Sequence, residues 1–385
     1  MEIANKNNIS KFKECYGCGV CVKACPTKII KFKRNSSGFY SPFIDDQNLC
    51  INCGICLDVC AYNHNDLGLK SNDEPRYYGA WNNDEEIRQT STTAGIGYGI
   101  ADMALEESYK VCGVTYNPDI EAAEHILIDA KENLYRIQGT KYIPSNPLPA
   151  YDKINLKNKY IIFGLPCQID SLRRYAKRFK KEESFILIDL FCYGVPSLLL
   201  WERTLKEIKK KYQDLRLLKF RSKELYGWHS SACFEFLTDN SIKFLPSKDS
   251  YFYKLFFSNS CLNRCCYNKC KYKHSNSSAD IRIGDFWGKK YANDEKGVNL
   301  MISLTPIGDK LINKLKNNCH VEPVTEREAL QGQMSYNAPW SPARQMVLWG
   351  LRHQMDLRIL YYYTRILNLI YHSPTYIKRL LKLNK

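Results

Sequence analysis

The sequence predicts a small α+β module at the amino terminus followed by a larger mixed α/β domain. Three observations carry this. Eight of the seventeen cysteines crowd into residues 15–60, marking a unit too cysteine-dense for an ordinary core. Beyond residue 76, apolar strand-like runs alternate with amphipathic helical stretches, the pattern of an α/β fold. At 385 residues the chain exceeds what one core usually serves, so two or three domains are expected.

Composition narrows the class. A hydrophobic content of 44% with 13% aromatics is globular, not disordered. The formal net charge of +16 gives a surface that attracts anions, from acidic proteins and lipids to phosphorylated cofactors; no specific nucleic-acid partner is expected. Met1–Ser10 has no signal-peptide pattern, so the cysteines are read as metal ligands in a reducing cytoplasm and not as disulfides. The longest apolar stretch, Ser184–Trp201, is broken by Asp189 and by Gly194-Val195-Pro196, which suits a buried strand and helix start better than a membrane span.

In chain order, residues 1–68 form the cysteine-rich module, and Asn63–Pro75 reads as a polar linker. The larger part divides into 76–165 and 166–325, with a basic helical extension at 326–385. Helices are expected at 94–109, 168–179, 197–212 and 307–317. Strands are expected at 111–116, 125–129, 160–164, 185–190, 233–238, 242–245, 280–284 and 300–304. The 168–179 helix carries Arg173, Arg174, Lys177 and Arg178, read as a solvated face or an anion contact. The segment from Ser341 onward holds eight Lys/Arg against one Asp, and its Leu351, Ile359, Leu360 and Tyr363 suit either packing on the same domain or peripheral contact with a membrane or partner.

The amino-terminal motif is specific. Cys15, Cys18, Cys21 and Cys25-Pro26 repeat as Cys50, Cys53, Cys56 and Cys60, with gaps of two, two and three residues. Two-residue gaps wrap three thiolates around one cubane, while the fourth cysteine reaches the other cluster. Cys15, Cys18, Cys21 and Cys60 are therefore assigned to one [4Fe-4S] cluster and Cys50, Cys53, Cys56 and Cys25 to a second. A pair of zinc knuckles is the alternative, but zinc does not need two complete four-cysteine runs. Residues 12–62 resemble the bacterial two-cluster ferredoxins, so the module is expected to be α+β and ferredoxin-like.

Further along stand Thr140-Lys141-Tyr142, Phe163-Gly164-Leu165-Pro166-Cys167-Gln168, Ile188 through Pro196, Phe220-Arg221-Ser222-Lys223 with Gly227-Trp228, and Ile283 through Gly288, in that order. With this ordered set the larger part resembles the coenzyme F420 hydrogenase/dehydrogenase beta-subunit family. The resemblance implies a cytoplasmic iron–sulfur flavoprotein oxidoreductase that binds FAD and a third [4Fe-4S] cluster. Such a protein relays electrons between clusters and a small-molecule hydride acceptor or donor, F420-like or from another pathway such as polysaccharide synthesis, with a ferredoxin or other redox protein as partner. The alternative is an electron-transfer or scaffold subunit of a larger complex, with no substrate site of its own. Where the family has Ser-Ser-Gly-Gly, this chain has Ser91-Thr92-Thr93-Ala94-Gly95. Ser91, Thr92, Thr93 and Gly95, at a helix start, and Lys141 are the expected cofactor contacts.

For the third cluster, the Cys261-x3-Cys265-Cys266-x3-Cys270 run supplies Cys266 and Cys270, joined by Cys261 and either Cys192 or Cys167; a zinc site is the alternative. Cys167 follows Pro166 at a helix start, where the dipole favours a thiolate. Cys112, Cys233 and Cys319 lie in apolar runs and are read as core.

Overall fold

The computed structural model describes residues 7–69, 74–212, 214–239 and 241–382. The middle of the linker expected at 63–75 and the end of the basic tail lie outside these residues.

In the amino-terminal segment, β1 (Ile30–Arg34) pairs antiparallel with β2 (Tyr40–Ile44), Ile30 opposite Ile44. Two short helices, Val20–Ala24 and Ile55–Asp58, pack together. Each is entered through a left-handed glycine, Gly19 at φ 74° and Gly54 at φ 72°, a conformation that a Cβ disfavours. The two cysteine runs thus share a backbone device as well as a spacing.

Next come β3 (Arg76–Asn82), β4 (Lys110–Asn117), β5 (Ala122–Ile128), β6 (Ser145–Asn146), β7 (Tyr160–Gly164), β8 (Phe185–Leu190), β9 (Arg216–Lys219), β10 (Cys233–Thr238), β11 (Ser241–Pro246), β12 (Ile281–Asp285), β13 (Asn299–Ser303) and β14 (Cys319–Val324). A nine-stranded mixed sheet runs β14-β3-β13-β12-β8-β7-β4-β5-β6, and β9–β11 form a separate antiparallel sheet. Segments 76–165 and 166–325 both contribute strands to the large sheet. Its centre, β12-β8-β7-β4, is parallel, and β7 and β8 are joined by the helix Pro166–Arg178 in a βαβ unit.

Both sheet faces are covered. Ile161 of β7 packs with helices Ile96–Glu106 and Pro306–Leu315 on one side, while Tyr160 and Ile162 pack with helix Pro166–Arg178 on the other. Val20, Ala24 and Val59 join that second core, so the cysteine module is seated against this helix. A third, aromatic core gathers Trp201, Phe220, Phe234 and Phe252 with Leu351, Leu357 and Leu360 of the carboxyl-terminal helices Arg344–Arg352 and Leu357–Lys382.

Expected elements and structure differ for physical reasons. The helix expected at 94–109 spans Ile96–Glu106: Gly95 caps its start, and Ser108, at φ 61°, turns the chain away at its end. β3 lies between two antiparallel neighbours with most of its side chains covered, so it lacks the alternation that announces a half-exposed strand. The basic helix is not a solvated face. Arg173 is buried on Asp280, Arg174 reaches Asp66 and Asp170, Lys177 bonds the Gly68 carbonyl and Arg178 meets Asp58, so these cations clamp the cysteine module and sheet.

Two buried groups test this packing. Arg282 of β12 and Asp189 of β8 are wholly buried and joined by two bonds of 2.7 Å. Arg282→Met is expected to strand the carboxylate and cost roughly 3–5 kcal/mol in a denaturant titration. His125 is fully buried in β5, and among the described residues neither ring nitrogen has a partner at hydrogen-bond geometry. Burial, opposed by the nearby Asn146 backbone, pushes its pKa from 6.5 down to about 4. Because the unfolded chain takes up this proton first, stability falls as pH drops from about 6.5 to about 4 and levels off below. Relative to the wild type, His125→Phe is expected to keep roughly 3 kcal/mol across that window, read by denaturation at pH 7 and pH 4.

Candidate redox site: three cysteine groups and a cleft

The fold gathers twelve cysteines into three groups of four. In the first, Cys15, Cys18 and Cys60 all neighbour Cys21, whose thiol is pushed well up by burial and then by their charges. In the second, Cys25, Cys50, Cys53 and Cys56 line one cavity together with Asn8 and Thr27. Each group thus draws one cysteine from the other motif, the exchange the spacing suggested. Asn8 donates to Cys50 Sγ at 3.3 Å. Burial alone would raise the Cys25 thiol, but the Thr27 hydroxyl and the Ile29 and Ile30 amides hold it below its ordinary value.

The third group forms where loops meet. Cys192, Cys266 and Cys270 neighbour Cys167, as does Cys18 of the first group. The loop after β8 is tied to the Cys261–Asn263 segment by Ser197 N to Cys261 O at 2.9 Å and Asn263 N to Val195 O at 2.7 Å. A Cβ on Gly194 would stand 2.8 Å from Leu262, so glycine permits this approach. Cys261 is not part of the group: its buried sulfur lies 3.9 Å from the Leu255 carbonyl, while both Cys167 and Cys192 join Cys266 and Cys270. Cys265, left without a role by the motif spacing, neighbours both Cys15 and Cys266. Nor does the helix start lower the Cys167 pKa; burial and then the neighbouring cysteines push it well up. Cys112, Cys233 and Cys319 are buried in β4, β10 and β14.

The groups are contiguous. Cys56 neighbours Cys21 and Cys60, linking the second group to the first, and Cys18 neighbours Cys167, linking the first to the third. Cys192 lines a cavity of about 560 Å³ over the carboxyl ends of β7, β8 and β12, the side of a parallel sheet on which α/β proteins bind ligands. Among the described residues no three His, Cys, Asp or Glu side chains converge on a single metal ion; thiolates around a cubane bind different irons and stand further apart.

The expected cofactor residues border this cleft. Ser91 accepts from Gln138 Nε2 at 2.8 Å and Thr92 from the Thr140 amide at 2.8 Å, leaving both hydroxyl protons to donate. Thr93 instead donates to Asp285 at 2.6 Å, and Asn299 Oδ1 accepts from the Ala94 and Ile96 amides, so these groups are already engaged. Among the described residues Lys141 Nζ bonds just the Gln138 and Gly139 carbonyls and meets no carboxylate, and burial pushes its pKa down to about 7. An anion would complete its shell. Gln333 Oε1 is buried without a partner among the described residues, and the Trp287 ring, stacked on Trp228 at 5.5 Å, forms part of the wall. The cleft therefore suits a ligand with both an anionic group and a flat ring.

Sequence reasoning missed what holds the wall together. Arg221 and Asp285 pair at 2.7 Å. Although burial alone would raise the Asp285 carboxyl, Arg221 holds it below its ordinary value. Lys223 Nζ donates to the Arg88, Thr93 and Lys296 carbonyls. These residues stood in the quoted motifs, but nothing local marked them as braces.

Contiguous cysteine quartets leading to a ligand cleft define an iron–sulfur electron-transfer protein. Residues 14–64 match the 4Fe-4S dicluster domain, and residues 157–327 match the carboxyl-terminal domain of the family "Coenzyme F420 hydrogenase/dehydrogenase, beta subunit". The chain thus carries a two-cluster iron–sulfur domain ahead of a segment that matches that family's carboxyl-terminal domain. Among solved structures it is similar to a chain of the F420-reducing [NiFe] hydrogenase complex from Methanosarcina barkeri, at 15% identity and a TM-score of 0.48, covering 76% of this chain and 91% of that one. No curated protein matches the sequence. No helix among the described residues is long and apolar enough to cross a membrane.

Proposed function

We propose that the chain is an oxidoreductase that holds three [4Fe-4S] clusters in line and FAD in the cleft, exchanging hydride with a small-molecule acceptor or donor in the cytoplasm. The observation that carries the reading is the contiguity of the three quartets with a cleft bordered by Cys192. Bound there, the clusters would supply single-electron transfer and the flavin its coupling to two-electron hydride chemistry. Cys15, Cys18, Cys21 and Cys60 would hold one cluster, Cys25, Cys50, Cys53 and Cys56 the second, and Cys167, Cys192, Cys266 and Cys270 the third. Burial keeps water from Cys21, Cys25 and Cys56, whereas Cys53 is exposed, and the Thr27 hydroxyl and the Ile29 and Ile30 amides donate to Cys25.

For FAD, Ser91, Thr92 and Lys141 would meet the pyrophosphate, with Gln333 and Trp287 available to the ring. A ferredoxin or another redox protein would exchange electrons with the amino-terminal module. Anaerobic purification followed by flavin extraction tests the reading: about one FAD per chain supports it, whereas iron without flavin would leave a pure relay. Because Lys141 is cationic only below about 7, flavin retention should weaken from pH 6 to pH 8. In Lys141→Ala it should fall about tenfold at pH 6 and lose that dependence, measured by fluorescence of released flavin.

A further inference from the structure

The helix Leu357–Lys382 has more apolar surface than its own domain covers. Leu357, Leu360 and Thr364 are buried against the aromatic core, and the helix packs on Tyr251–Phe257. Ile359, Tyr362, Ile366 and Leu369 follow the same three-and-four spacing on another side, with exposures of 54%, 53%, 57% and 68%. Single exposed apolar side chains are ordinary, but four in a row form a continuous patch. Arg358 and Arg365 are exposed on this helix, and neither has a carboxylate partner among the described residues. From Ser341 onward the sequence carries eight Lys/Arg and one Asp, a net +7.

We infer that this face rests on an anionic lipid surface. The stripe needs an apolar medium and the arginines an anionic one, and a membrane interface offers both while long basic side chains reach the head groups. A second copy of this chain would bring +7 against +7, which disfavours self-pairing. The helix would lie on the bilayer without crossing it. This inference is independent of the flavin reading.

Sedimentation of the anaerobically purified full chain with sucrose-loaded vesicles tests it. Binding is expected to vesicles containing roughly one-third phosphatidylglycerol, not to phosphatidylcholine alone, and to weaken as salt rises. Ile366→Asp with Leu369→Asp should lower partitioning by about tenfold or more, and Arg358→Ser with Arg365→Ser by about tenfold. All four positions are exposed, so the variants should keep wild-type iron content and circular dichroism. The inference is overturned if neither vesicle type sediments the protein, or if the aspartate variant binds as well as the wild type. It is equally overturned if the stripe mediates self-association or binding to an acidic protein, seen by light scattering or pull-down, without vesicle binding.

Discussion

Cys60→Ala is expected to remove the same cluster as Cys15→Ala, although the two residues lie in different motifs. Each single change should lower bound iron from about twelve to about eight atoms per chain, and the Cys15/Cys60 double change should lower it no further. Pairing Cys15→Ala with Cys25→Ala should instead leave about four. The basis is placement: Cys60 neighbours Cys18 and Cys21, whereas Cys25 shares a cavity with Cys50, Cys53 and Cys56. Structure should suffer with the metal. Among the described residues the module's own buried cluster has just three non-cysteine members, Ile9, Ile30 and Leu57, with Phe12, Val22, Ile29 and Ile44 partly buried against it, a small core for the segment without its ligands. Limited proteolysis should cut residues 7–69 in each ligand variant and spare the wild type. Additive iron loss in the Cys15/Cys60 pair would refute the exchange.

The second large effect separates cysteines that the sequence could not. Cys266→Ala or Cys270→Ala should lower iron to about eight atoms per chain while preserving the amino-terminal pair. Transfer from a reduced ferredoxin to a two-electron acceptor should then fall to background, because the Cys167 quartet stands between Cys18 and the cleft. Cys261→Ser should keep full iron and transfer, at a cost of about 1–3 kcal/mol for a hydroxyl in an apolar site. Iron analysis and anaerobic stopped-flow would read both outcomes.

Legibility followed the range of the interactions. The gaps in Cys15–Cys25 and Cys50–Cys60 are local, so two quartets could be written from the sequence. The third is assembled from the start of the Pro166–Arg178 helix, the loop after β8 and the Cys265–Asn268 turn. Spacing therefore offered Cys261 with either Cys192 or Cys167, whereas in the fold both Cys167 and Cys192 neighbour Cys266 and Cys270 and Cys261 lies apart. Strands β7, β8 and β10 were readable because short apolar runs end at turn residues. β3 and β14 were not, since their pairing is set by partners far along the chain. The cations of Pro166–Arg178 looked solvated because their acidic partners Asp58, Asp66 and Asp280 are distant in sequence. In the tail, the apolar spacing was visible, but only the packing showed that Leu351 and Leu360 face inward while Ile359 faces out.

On the proposed reading, three quartets each carry a cubane and together form one path to the cleft. Iron and acid-labile sulfide counted against protein, in one anaerobic preparation, test it most directly. About twelve of each per chain are expected, with a paramagnetic signal on reduction. Eight or fewer of each, or zinc in their place, would contradict it.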